Sequence, residues 1–210
     1  MPSVQIYANK HSHVDQGAPN TNVHISSYTI YGTPSAYYYP ETTVGYESRA
    51  WFGFDLSSIP VGSSIISATV SFGIDICWNQ EYITDAGIFK STSNSWTDVS
   101  ITWNNAPSVA ASPSATFYWD SNIGGSGNPG YSDVAIPTSD IATSLGDGQI
   151  SYCLKNYVNP MPYWFIMNGG VYLTITYEAA KAVLPHSVTL GEYSGKVIIG
   201  NGSGKMIINN

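Results

Sequence analysis

Residues 64–78 read SIISATVSFGIDICW, and their alternation sets the fold class. Ile66, Ala68, Val70, Phe72, Ile74 and Ile76 fall on one face of an extended chain; Ser67, Thr69, Ser71, Gly73 and Asp75 fall on the other. Successive side chains of a strand point to opposite sides, so this pattern describes a strand with one buried and one solvated face. Residues 49–56, RAWFGFDL, alternate in the same way, with Ala50, Phe52 and Phe54 set against Trp51 and Gly53. Shorter runs of the same kind are VQIYA, AGIFKST, SITWN, ATFYWD, YSDVAI, ISYCLKN, YWFIMN and VYLTITYE, punctuated by Gly, Pro, Asn and Ser. One window is helical: residues 138–146, TSDIATSLG, with Thr138 or Ser139 as cap and Gly146 as stop. Roughly ten short strands with so little helix predict an all-β, jelly-roll-like sandwich of two sheets.

Composition narrows the function. Of 210 residues only 10% are charged, while Tyr (16) and Gly (20) are plentiful and 43% are hydrophobic, enough to order a core. Such a mixture suits secreted or particle-surface β proteins. The net charge of −7 and only seven Lys and Arg argue against nucleic acid and against an anionic membrane surface, both of which need a basic face. No stretch reaches the ~18 apolar residues of a membrane span. The opening MPSVQIYANK has neither the basic nor the apolar segment of a signal peptide. Either a leader has been removed, or the protein never used secretion; a virus particle assembled inside its host needs no signal. Cys77 and Cys153 are two buried thiols or a disulfide pair; without a CxxC there is no sign of structural zinc.

Strand density ends at Glu178, so the sandwich is expected over residues 1–178 and a linker over 179–186. Residues 187–210 are a nine-residue repeat: SVTLGEYSG, KVIIGNGSG and a truncated KMIINN. The glycines supply turns, and no Asp stands where a calcium-binding nonapeptide needs one. Three such units cannot form a solenoid alone, because each contacts only its neighbours. Consecutive apolar residues such as Val197, Ile198 and Ile199 leave both faces needing cover. Val188, Leu190, Val197, Ile199, Met206 and Ile208 are therefore the candidate oligomerisation residues, most simply in a homotrimeric fibre. The alternative is a hairpin that covers an edge of its own sandwich.

Five segments in order resemble the DNRLRE-type β-sandwich domains, relatives of disaggregatase-related repeats and of some carbohydrate-binding modules. They are GAPNTNVHISSYTIYG, SRAWFGFDLSSIPVGSSIISATVSF, SNSWTDVSITWNNAPS, VAIPTSDIATSLGDGQISYCLKN and GGVYLTITYE, together spanning about residues 6–178. The resemblance implies a jelly-roll-like sandwich without catalysis, found on cell surfaces, secreted proteins and phage structures, with glycan binding in some members. The residues that carry it read as structural. Asp55, Leu56, Ile59 and Pro60 form a strand end and turn. Trp96, Trp103, Asn104, Asn105 and Pro107 form a packed corner with Asn side chains bonding loop backbone. Arg49 pairs with a carboxylate such as Asp55, or bonds carbonyls.

Candidate chemistry is sparse. His11 and His13 share a strand face and could reach one metal, with His24 as the third ligand, but no other ligand stands at a recognisable spacing. Asp15, Asp75, Asp85, Asp120 and Asp133 lie near strand ends, where a structural calcium could be held. No G-x-S-x-G elbow and no paired carboxylates mark an enzyme. Tyr37, Tyr38, Tyr39, Trp78 and Tyr82 are the aromatic candidates for stacking on sugar rings. The expectation is a non-catalytic surface protein without cofactor: a virion (phage) decoration, head-fibre or tail component, with other virion proteins and host glycans as partners. A secreted carbohydrate-binding module and a strand-exchanging extracellular filament subunit are the alternatives.

Overall fold

The computed structural model describes residues 1–22, 28–30, 33–35, 42–43, 46–74, 76–77, 84–119, 130–156, 165–166, 170–180, 197–199 and 206–208. The chain divides into two compact units, Met1–Ala180 and Lys181–Asn210.

The first unit is nearly all strand. Its elements are β1 (Ser3–Tyr7), β2 (Lys10–Asp15), β3 (Tyr28–Ile30), β4 (Thr33–Ser35), β5 (Thr42–Thr43), β6 (Tyr46–Asp55), β7 (Ser64–Ile74) and β8 (Ile76–Cys77). They continue with β9 (Thr84–Lys90), β10 (Ala115–Trp119), β11 (Gly130–Ala135), α1 (Thr138–Ser144), β12 (Gln149–Asn156), β13 (Phe165–Ile166) and β14 (Tyr172–Glu178). Four strands form one antiparallel sheet in the order β1-β14-β7-β11. The other sheet has six, ordered β10-β9-β12-β6-β2 with β5 paired to β6. The fold is thus the expected β-sandwich.

Alternation builds the core. Phe52 and Phe54 of β6, Ile88 of β9 and Ile150, Tyr152 and Leu154 of β12 meet Val70 and Phe72 of β7, Val134 of β11, and Leu173 and Ile175 of β14. The Phe52 ring stands edge-on to Phe72 across the sheets, centroids 5.5 Å apart. Each such side chain contributes about 1.5–3 kcal/mol when fully buried. Ile141 of α1 and Leu145 just after it join the same core.

Local readings change in three places. The stretch 64–78 is not one strand: β7 ends at Ile74, and β8 pairs instead with β13. Ile66 does not face the core but is 46% exposed. The β14–β7 register steps from Thr176↔Ser67 to Tyr177↔Ile65, so Ile66 is the extra residue of a β-bulge and Ile65 packs against the core in its place. The helix is capped by Pro137 without a side-chain bond, so neither Thr138 nor Ser139 is the cap. The left-handed turn after α1 falls at Gly148 (φ 66°) rather than Gly146.

The second unit contains β15 (Val197–Ile199) and β16 (Met206–Ile208), paired antiparallel with Val197↔Ile208, Ile198↔Ile207 and Ile199↔Met206.

Candidate functional site

The two sheets differ in what lies on their outer faces. On the six-stranded sheet, Val14, Trp51, Phe89 and Cys153 point away from the main core, yet they are buried. Trp96 and Ile101, from the long connection between β9 and β10, cover them, with Trp103, Ala106 and Val109 packed alongside. Trp51 meets Trp96 edge-on at 6.1 Å. Asn105 stitches this roof together: its Oδ1 accepts from Thr102 N at 2.6 Å and its Nδ2 donates to Ser100 O at 2.9 Å. Asn22 Nδ2 ties it down by donating to the carbonyls of Asp98 (2.9 Å) and Ile101 (2.7 Å). The corner expected around Trp96, Trp103 and Asn105 is therefore a lid over a second small core.

Cations trim the roof. Arg49 stacks on Trp103 at 4.4 Å and donates to both carboxylate oxygens of Glu47, at 2.7 and 3.0 Å. Its partner is therefore Glu47, two residues away on the same strand face, and not Asp55. Burial works against the guanidinium charge, but the hydrogen bond and charge of Glu47 outweigh it and hold the pKa above its usual value. Asp55 instead accepts from Ser57 N at 2.9 Å, closing a turn, and this bond lowers its pKa. Lys10 sits over Trp96 at 5.0 Å and donates to Asn94 O at 2.7 Å; burial lowers its pKa, against the charge of Asp98. Lys155 lies over Phe89 at 4.5 Å. A Cβ on Gly87 would come within 2.6 Å of that Phe89 ring, so only glycine leaves room for it.

The four-stranded sheet carries no such roof among the described residues. Val4, Ile6, Leu173, Ile175, Val70, Phe72 and Val134 turn inward, so their neighbours turn outward. Strand register lines the outward residues up in rows. Tyr7 lies opposite Tyr172, which lies opposite Ser71, which lies opposite Asp133. Beside them run Gln5, Thr174, Thr69 and Ala135. Tyr7 is 60% exposed and its ring is 5.8 Å from that of Tyr172, tilted by 55°. Ser71 Oγ donates to Asp133 Oδ1 at 2.5 Å, which fixes the carboxylate of an otherwise exposed Asp. The result is a tilted aromatic pair with Gln5, Thr174 and Asp133 nearby; Ser71, between Tyr172 and Asp133, is itself buried. Rings stack on the apolar face of a sugar, and such polar groups bond its hydroxyls.

The residues singled out from sequence fare unevenly. Tyr37, Tyr38, Tyr39, Trp78 and Tyr82 lie outside the described residues, as do His24, Asp75, Asp120, Val188 and Leu190. Asp85, Cys77, Val197, Ile199, Met206 and Ile208 are described by their strand pairing only. His11 and His13 oppose Phe52 and Ala50 and so face between the sheets. Among the described residues no three His, Cys, Asp or Glu side chains gather. Asp15 and Asp133 stand on different sheets; Asp15 accepts from Gly17 N at 2.6 Å. Cys153 is a free, buried thiol whose pKa burial pushes up to about 12. The aromatic pair on the outward side of the four-stranded sheet was missed from sequence. Its signal was present in the alternation of Gln5 and Tyr7, and of Tyr172, Thr174 and Thr176, but not their adjacency.

A β-sandwich with one roofed sheet and an aromatic pair on the outward side of the other has the form of a binding domain. The family model for carbohydrate-binding module family 96 matches residues 3–160, and the chain belongs to that family. Nothing among curated proteins matches it. Among the described residues no helix is long and apolar enough to cross a membrane.

Proposed function

We propose that the chain is a non-catalytic carbohydrate-binding module that holds a glycan on the exposed face of its four-stranded sheet. One observation carries this reading: in a member of such a family, Tyr7, 60% exposed, stands in register with Tyr172 and beside Gln5 and Thr174 on the outward side of the four-stranded sheet. The module works outside the cell or on a particle surface, as carbohydrate-binding domains typically do. The narrower likeness to disaggregatase-related domains supports the same role. Affinity electrophoresis of the chain through gels containing soluble polysaccharides tests it. At least one polysaccharide should retard the chain, and Tyr7→Ala should abolish the retardation. Retardation that survives both Tyr7→Ala and Tyr172→Ala sinks the assignment of the face. Tyr37, Tyr38, Tyr39, Trp78 and Tyr82 enter the same alanine series as candidate rings.

A second element of the reading concerns the tail. Two copies of the repeat pair antiparallel as β15 and β16, and an isolated two-stranded ribbon is marginal in water. This supports assembly through the tail, with the sandwich as a displayed head on a virion or an extracellular filament. Light scattering on the intact chain and on a truncation after Ala180 decides it. A trimer that becomes a folded monomer supports assembly, and two monomers exclude it.

A further inference from the structure

Charge is sorted between the two units. Met1–Ala180 holds thirteen Asp and Glu against four Lys and Arg, a net −9. Lys181–Asn210 holds three Lys against one Glu, a net +2. At neutral pH copies of the first unit therefore repel one another, as do copies of the second, whereas the second unit of one copy is drawn to the first unit of another.

β1 is an edge that a strand can join. It ends the four-stranded sheet, in the order β1-β14-β7-β11. Tyr177 N donates to Pro2 O and Ala8 N donates to Val171 O, so the even-numbered residues turn their backbone groups to β14. Ser3, Gln5 and Tyr7 turn theirs away, and all three are exposed. Natural edges are commonly guarded against joining by charge, proline or a bulge. The β2 edge carries Lys10 and Asp15, the β11 edge carries Asp133, and β10 runs close to β11. SVQIY of β1 has no charge, no proline and no register shift against β14.

We propose that β1 is the docking edge for the repeat of a second copy: the β15–β16 ribbon of one chain adds to β1 of the next and extends its four-stranded sheet. This rests on the proposed assembly through the tail and names the surface that receives it. Val197–Ile199 and Met206–Ile208 are uncharged aliphatic strands, each directly preceded by a lysine, Lys196 and Lys205. Among the described residues they pair only with each other, which leaves a backbone edge on either side of the ribbon. Main-chain bonds from one such edge to Ser3, Gln5 and Tyr7 satisfy both strands. Glu178, exposed, lies two residues beyond the Ser3↔Thr176 pair, so an acidic group stands at this end of the sheet for the ribbon's lysines. Tail-to-tail assembly instead brings like charges together. A tail-to-edge contact joins two different surfaces, so it propagates into filaments or closes into rings.

The test follows the mass of the intact chain by light scattering over a range of concentrations at low salt, beside Gln5→Pro and the double variant Lys196→Glu, Lys205→Glu. Gln5→Pro removes one outward N–H and no bond to β14. It should raise the concentration needed for association by about tenfold or more at an unchanged urea midpoint. The lysine reversals leave the first unit untouched and turn the net charge of the second from +2 to −2. They should abolish association, and added salt should weaken it in the parent chain. Hydrogen exchange at Ser3, Gln5 and Tyr7 should slow in the assembled parent. If Gln5→Pro shifts the urea midpoint, the lysine variant and the exchange decide. Association unchanged in Gln5→Pro at an unchanged midpoint, or unchanged in the lysine variant, overturns the β1 edge while keeping assembly by the tail. A parent chain that stays monomeric throughout overturns assembly itself, and slowed exchange at β1 in that monomer assigns the edge to the chain's own tail.

Discussion

Tyr7 and Tyr172 face one another across the β1–β14 pair, ring centroids 5.8 Å apart, on the outward side of the four-stranded sheet. Tyr7 is 60% exposed, so its removal costs the fold little. We expect Tyr7→Ala to lower glycan affinity by on the order of tenfold or more, as loss of an anchoring ring does. Its urea midpoint should stay at the parent value. Isothermal titration and denaturation on the same protein check both halves.

Phe52 touches Phe54, Phe72 and Tyr152 at the centre of the sandwich. Phe52→Ala is expected to cost about 3–5 kcal/mol, from lost burial and the cavity left behind. Chemical denaturation should show it, and a cost below about 1 kcal/mol would mean that the sheets do not meet there.

Arg49 joins the roof to the sheet through Trp103 and Glu47. Both members of the ion pair are about one-quarter exposed, so solvent screens it. Arg49→Ala should destabilise by about 1 kcal/mol in all, the sum of a stacked cation and a screened pair. Trp fluorescence should shift to the red as the roof loosens. An unchanged spectrum with unchanged stability would show that the roof does not need this tie.

His13 is buried, and burial lowers its pKa below 6.5 against the charge of Asp15. The unfolded chain takes up this proton near pH 6.5, the folded chain only at lower pH. Between those values the unfolded state binds more protons, so the contribution is whole above pH 6.5 and is lost as pH falls through the folded value. Stability should drop as pH falls below about 6.5, and His13→Gln should flatten that slope. Equal slopes for the two proteins would assign the acid sensitivity to other groups.

Cys153 lies beneath the roof with its thiol pKa raised to about 12. In a Cys77→Ser background it should resist alkylation in the native state and react once urea unfolds the chain. Rapid native labelling would mean that the roof opens on its own.

The strands and core of this protein were legible from period-two alternation, because that signal is local. Ala50, Phe52 and Phe54 face the core, as their spacing predicts. Alternation failed at Ile66, where a bulge on β7 turns the side chain outward, since the extra residue is defined only by the partner strand. It was also silent about Trp51, which faces outward and is buried nonetheless, under residues some 45 positions later in the chain.

By itself, then, the sequence determined an all-β sandwich, and it carries a low overall charge and a nine-residue repeat at residues 187–210. Only the tertiary structure decided which side chains meet on the outward side of the four-stranded sheet. β1 and β14 stand at opposite ends of the first unit, and their pairing brings Gln5 and Tyr7 beside Thr174 and Tyr172. The β9–β10 connection folds over the other sheet because Trp96 and Ile101 can leave water only against Trp51, Phe89 and Cys153. Adjacency of this kind depends on packing between distant segments, which no local pattern encodes.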